Sequence, residues 1–156
     1  MKVQIRKAKQ TDLIDIAELW KEFIDYHKEL DSIFTRSRNS IYYFKKYASN
    51  HITSKKSLVL IAKFQNKTVG YSISYLAKYP PVFASTKHGF ISDLMVSKDF
   101  RSSGLGKKLF KENVTWFKLK NIKRVELSVS VKNLSAAKFW KKMGFETFMD
   151  KRVKKL

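Results

Sequence analysis

The chain has 156 residues, no cysteine and a formal net charge of +20 at neutral pH. Its length suits one domain, residues 1–156, with a core that needs no staples. The missing cysteines exclude a disulfide framework, a thiolate metal site and a cysteine nucleophile; they fit a reducing cytoplasm. The start, Met1 to Arg6, lacks the apolar core of a signal peptide. The longest apolar run, Leu58 to Ala62, is far short of the roughly 18–20 residues of a membrane span, so no membrane association is expected. The charge is mostly lysine and is spread along the whole chain, with short clusters such as Lys151 to Lys155. Such a field favours polyanions, nucleic acid among them, or is simply a solvated surface; it says little about fold.

The pattern along the chain alternates between strand and helix periods. Val3 to Lys7 alternates apolar and polar residues, as a short strand does. Thr11-Asp12 opens a helix whose inward stripe is Leu13, Ile16, Ala17, Trp20, Phe23, Ile24 and His27. A polar connection follows, then a second helix from about Ser40 to Thr53 with Ile41, Phe44, Ala48 and Ile52 inward. Ser57 to Phe64 and Thr68 to Ala77 read as a hairpin around Gln65-Asn66-Lys67. Pro80 and Pro81 end it, since proline cannot donate to a ladder. Phe90 to Val96 is the central strand. Leu105 to Lys120 is a helix with Leu105, Leu109, Val114 or Phe110, and Phe117 toward the sheet. Arg124 to Val131 alternates as a strand, Asn133 starts a last helix, and Phe145 to Val153 is expected to form a final strand.

Chemistry concentrates between the central strand and the helix after it. Arg101-Ser102-Ser103-Gly104-Leu105-Gly106 joins them, with Lys107 next. Glycine lets backbone approach an oxyanion, and the first amides of a helix have no partner of their own, so this turn is a candidate phosphate cradle.

With Asp93-Leu94-Met95-Val96 before it and Asn133, Ala136, Phe139, Gly144 and Phe145 after it, the turn resembles the GNAT acetyltransferase superfamily. That superfamily carries Arg/Gln-x-x-Gly-x-Gly/Ala after an apolar strand end, and Asn-x-x-Ala-x-x-Phe-Tyr-x-x-x-Gly-Phe further on. The likeness covers about residues 57–148 closely and the N-terminal part in pattern only. It implies an α/β fold of order βααβββαβαβ: a mixed, mostly antiparallel twisted sheet flanked by helices on both faces. It further implies acetyl-CoA as co-substrate, no metal, and transfer by direct attack of an amine.

Roles follow from the same resemblance. Leu94, Met95 and Val96 would pair with the pantetheine arm, and an amide there would polarise the acetyl carbonyl. Arg101, Ser102, Ser103, Gly104, Leu105, Gly106 and Lys107 would hold the diphosphate. Asn133 would bond the pantetheine or cap its helix, and Ala136 would stay small where the cofactor passes. The family's general acid, a tyrosine, is replaced by Trp140, whose indole donates a hydrogen bond but does not ionise usefully. Positions where branches of the family keep a catalytic glutamate hold Ser92 and Ser128. Asp93 matches a motif aspartate and is the candidate to bind an ammonium or relay a proton, with His88 as the other nearby titratable group.

The resulting expectation is a cytoplasmic, homodimeric N-acetyltransferase acting on a small-molecule or protein amine. Two other readings stand beside it: an acyl-CoA-binding module without efficient catalysis, and a basic RNA- or ribosome-associated protein. The first is motivated by the missing tyrosine and glutamates, the second by the charge.

Overall fold

The structure, a computed structural model, describes residues 2–156. Five strands form one sheet in sequence order: β1 (Gln4–Lys7), β2 (Ser57–Phe64), β3 (Lys67–Lys78), β4 (Lys87–Val96) and β5 (Val125–Glu126). The first three pairings are antiparallel and the last, β4 with β5, is parallel. Helices α1 (Leu13–Leu30) and α2 (Ser40–Thr53) precede β2; α3 (Leu105–Leu119) follows β4, and α4 (Leu134–Lys142) follows β5.

The continuous apolar run of β2 has a simple cause. Side chains alternate across a strand, and here both faces are covered. Val59 and Ile61 pack with Tyr71, Ile73 and Met95 against Ile16, Ala17, Phe44 and Ala48 of α1 and α2. Leu58, Leu60 and Ala62 face the other way, with Val69, against Leu105 and Leu109 of α3. The two N-terminal helices are locked together by Trp20 stacked on Phe44, with ring centroids 4.5 Å apart and planes 10° apart.

The buried line of α3 is Leu105, Leu109, Asn113 and Phe117, four residues apart each time. Asn113 stands where Val114 or Phe110 was expected. It is wholly enclosed, and its amide donates to Ser72 Oγ (2.9 Å) and the Leu109 carbonyl (2.8 Å) while its oxygen accepts from Ser74 Oγ (2.7 Å). A polar side chain is tolerated there because every group on it is paired. Phe117 requires the glycine opposite it: a Cβ on Gly89 would lie 2.4 Å from its ring.

Two expectations about the C-terminal part are corrected. The strand expected over Arg124 to Val131 pairs only through Val125 and Glu126, opposite Gly89 and Phe90. The final strand expected over Phe145 to Val153 does not form, so the order ends βαβα rather than βαβαβ. A strand exists only against a partner edge, and the ladder of β5 stops at Glu126. Without that edge, alternation in sequence cannot organise the segment. The Arg124 guanidinium lies 4.2 Å from the Phe148 ring, and Met149 and Val153 are exposed.

Candidate functional site

The site is built around one irregularity in β4. Ile73 lies opposite Asp93, but the next residue, Ser74, lies opposite Ile91, so Ser92 is an extra residue in the ladder. A bulge of this kind turns consecutive side chains toward one face. Ser92 and Asp93 both meet residues of the α1/α2 layer. Tyr47 of α2 donates its hydroxyl to Ser92 Oγ (2.7 Å), which donates to Asp93 Oδ1 (2.9 Å). Tyr71 donates to Asp93 Oδ2 at 2.9 Å.

Burial pushes the Asp93 carboxyl above its ordinary range, against the pull of Ser92, Tyr71 and the positive charge of nearby His27. Burial also raises the Tyr47 phenol to about 12 and the Tyr71 phenol well above its usual value, so both remain donors. Asp93 is open in one direction, into a cavity of about 350 Å³ lined also by Trp20, Phe44, Tyr43 and Tyr47, with Ser37 and Ser40 beside them. His27 hydrogen-bonds the Phe23 carbonyl through Nδ1 at 2.8 Å; a carbonyl only accepts, so Nδ1 carries a proton.

On its other edge β4 is free from Ile91 onward. Its parallel partner is used up at Phe90, while Leu94, Met95 and Val96 stay paired with Ser72, Tyr71 and Gly70 of β3 on one side. The backbone of these residues therefore presents a strand edge to anything entering between β4 and β5. Met95 packs its side chain in the core, and the Leu94 side chain approaches Gly106.

The turn that follows has the form of a cradle. Ser102 and Gly104 take positive φ, 61° and 82°. Gly104 is the N-cap residue of α3, and a Cβ placed on it would meet nothing within 4 Å, so space for a ligand lies beside it. Leu105 is buried and contributes only its amide; Lys107 is exposed. Ser103 Oγ donates to the Phe100 carbonyl, bracing the turn. Gly106 faces the Phe139 ring of α4, which a Cβ there would meet at 3.4 Å, an ordinary contact. Arg101 reaches back to Glu22 of α1 at 3.3 Å, and Glu22 also accepts the Lys98 amide, so this arginine ties the turn to α1.

Asn133 caps α4, accepting the Ala136 amide at 3.0 Å, and Ala136 is half-buried behind it. Trp140 packs edge-on with Phe110, Phe139 and Phe145, at centroid distances of 5.8, 4.9 and 5.2 Å. His88 is placed elsewhere: it is buried, stacked on Tyr79 at 4.1 Å and 3.9 Å from Glu126, and it does not line the cavity. Among the described residues no group of three or more His, Cys, Asp or Glu side chains is placed to hold a metal ion. The sequence reading assigned Trp20 to the core and did not single out Tyr43 or Tyr47. Their helical spacing on α1 and α2 was visible, but the cavity they border exists only once the helices meet β4.

This geometry has relatives. The sequence model described as Acetyltransferase (GNAT) family matches residues 17–145. An uncharacterized N-acetyltransferase of Archaeoglobus fulgidus is 30% identical over 138 residues, which cover 88% of this chain and 89% of that one. A mutant of the BH1408 protein from Bacillus halodurans superposes with a TM-score of 0.89 at 24% identity, covering 98% of this chain and 99% of that one. An aminoglycoside N-acetyltransferase in complex with CoA superposes with a TM-score of 0.75 at 17% identity, covering 99% of this chain and 95% of that one.

Proposed function

Because the chain belongs to the GNAT acetyltransferase family, we propose that it moves the acetyl group of acetyl-CoA directly onto a primary amine, with Asp93 as ammonium site and base. The family uses acetyl-CoA and acts on amine acceptors, aminoglycosides among them. The observation that carries the reading is the bulge at Ser92, which sets a half-buried carboxylate in a cavity beside the free edge of β4.

The residues present fit the cofactor. The open space at Gly104 and the unpaired amides at the start of α3 suit a diphosphate, with Arg101, Ser102, Ser103, Leu105, Gly106 and Lys107 around it. Leu94, Met95 and Val96 would pair with the pantetheine arm, with Asn133 and Ala136 on its other side. When bound, acetyl-CoA supplies an activated acetyl group and a thiolate leaving group. A backbone amide of the Leu94 to Val96 edge would donate to the acetyl oxygen as charge grows on it. Asp93 would take one proton from the bound ammonium to free the amine, and the nitrogen's second proton would leave to water as it bonds the acetyl carbon and the carbon–sulfur bond breaks. The serine and two tyrosines around it hold its oxygens in place. Trp140 would offer its indole N–H to the departing sulfur, which takes its proton from water.

Thiol release from acetyl-CoA over a panel of amines tests this. Turnover well above hydrolysis of acetyl-CoA alone supports it; binding without turnover of any amine moves the acyl-CoA-binding module to the front. An RNA partner for the +20 charge would have to survive competition by unrelated polyanions, because purely electrostatic binding collapses with salt.

We read the protein as cytoplasmic and as a homodimer that covers the exposed apolar residues of its C-terminal part. Val131, Phe148, Met149 and Val153 are between 60% and 91% exposed, more apolar surface than one copy covers by itself. Sedimentation should give twice the mass of one chain at micromolar concentration; a mass of 18.3 kDa would reject the dimer.

A further inference from the structure

The cavity over Asp93 carries more information than the presence of an acceptor site. Its walls are aromatic: the stacked Trp20–Phe44 pair, Tyr43 at the rim and Tyr47 below. At about 350 Å³ it is the size of a small-molecule pocket, at the low end of the usual range. Asp93 is the one carboxylate that lines it.

The neighbouring acids are already committed. Along α1, Asp15 lies 3.6 Å from Lys63, Glu18 2.7 Å from Lys21, Glu22 3.3 Å from Arg101 and Asp25 2.7 Å from Arg36. Asp31, just after α1, accepts from Lys132 at 3.0 Å. Glu29 carries no such partner among the described residues, and it does not line the cavity. A second or third ammonium on an acceptor would thus find no second carboxylate in the cavity lining and would meet the field of a chain with net charge +20. One ammonium, by contrast, has Asp93 and the ring faces that attract cations.

The geometry points to an arylalkylamine as acceptor: one primary ammonium directed at Asp93, on a flat, largely apolar body laid against Trp20, Phe44 and Tyr43. This rests on the acetyltransferase reading above. Ser37 and Ser40 can hydrogen-bond one hydroxyl at the far end of such a molecule, so a phenolic amine fits the site as well as a plain aryl one. In the reaction the ammonium gives one proton to Asp93, the freed amine bonds the acetyl carbon as the acetyl–sulfur bond breaks, and the nitrogen's second proton passes through water to the thiolate, releasing the thiol.

The experiment uses the full chain with tyramine, spermidine and kanamycin, each followed by calorimetric binding and by thiol release from acetyl-CoA. Tyramine should bind, and its kcat/KM should exceed the other two by at least about 10-fold, the factor that 1.4 kcal/mol produces. Tyr43→Ala, at an exposed rim position, should weaken tyramine binding by about 3- to 10-fold, the scale of one aromatic contact, while Tyr43→Phe restores it. Acetyl-CoA binding should be the same in both variants. Spermidine or kanamycin outperforming tyramine would overturn the acceptor class and leave the acetyltransferase reading standing. Tyramine bound but no amine acetylated would overturn the acetyltransferase reading and, with it, tyramine's role as acceptor, leaving only an arylalkylamine-binding pocket. No tyramine binding and no turnover would remove both.

Discussion

Asp93→Asn should lower kcat by about 10²–10⁴-fold, the usual contribution of a positioned base, and should leave the protein at least as stable at neutral pH. The two effects share one cause. The Asp93 carboxyl is raised above its ordinary range chiefly because burial penalises its charge. A carboxyl whose folded pKa is raised holds its proton more tightly in the native state than in the unfolded one. Its contribution to stability is therefore favourable below the unfolded value and is lost as pH rises through the window up to the folded value. At neutral pH the ionised form costs stability, and the amide removes that cost while Tyr71 and Ser92 can still bond it. Thermal melts of the two proteins should differ at pH 7 in favour of the variant and converge as pH falls toward the ordinary carboxylate range.

Activity should follow the same group in the opposite sense. The base works when unprotonated, so wild-type kcat should fall on the acidic side with an inflection above that of an ordinary aspartate. Tyr47, Tyr71 and Tyr75 stay protonated throughout, each raised by burial. A kcat within about threefold of wild type in Asp93→Asn, a change worth less than 1 kcal/mol, would remove Asp93 as the base.

The parts of this site that were legible in the sequence are those fixed by local backbone demands. Gly104 takes φ of 82°, which few side chains tolerate, and it stands where a helical period begins, so turn and helix start could be read together. Asn133 was legible for the same reason, as a preferred cap before a helical stretch. Leu94 to Val96 could be placed on a strand by composition alone. That their outer edge is free could not, because it depends on how soon β5 leaves β4. The extra residue at Ser92 leaves no local trace either. A bulge is a property of two strands in register, and Ile73 and Ser74 lie 19 and 18 residues before Ser92 along the chain.

The misses follow the same line. Asn113 was passed over on α3 because an asparagine reads as solvent-facing, and its burial depends on Ser72 and Ser74 across the layer. Trp20 was read as core, which half describes it: one face stacks on Phe44 and the side chain also borders the cavity. The strand expected over Phe145 to Val153 failed because alternation records which faces a segment would have, not whether an edge is there to receive it. Each error concerns a contact between elements far apart in sequence.

Gly104→Glu should abolish acetyl-CoA binding by calorimetry, a loss of at least about 100-fold, or roughly 2.7 kcal/mol. The substitution is informative because the backbone argument and the charge argument can be separated at this position. A Cβ on Gly104 would touch nothing within 4 Å, so the fold pays only for a left-handed conformation, about 1–2 kcal/mol for an L-residue. Gly104→Ala pays the same and adds no charge. It should melt at the same temperature as Gly104→Glu and keep acetyl-CoA binding within about 10-fold of wild type, the equivalent of 1.4 kcal/mol. The glutamate differs from it in placing a carboxylate at the start of α3, where the free amides would otherwise face the diphosphate. If both variants lost binding equally, the strained turn rather than the charge would be responsible. If Gly104→Glu bound as wild type does, the diphosphate would lie elsewhere. Arg101 would then be read only as the tie between the turn and Glu22 that the structure shows.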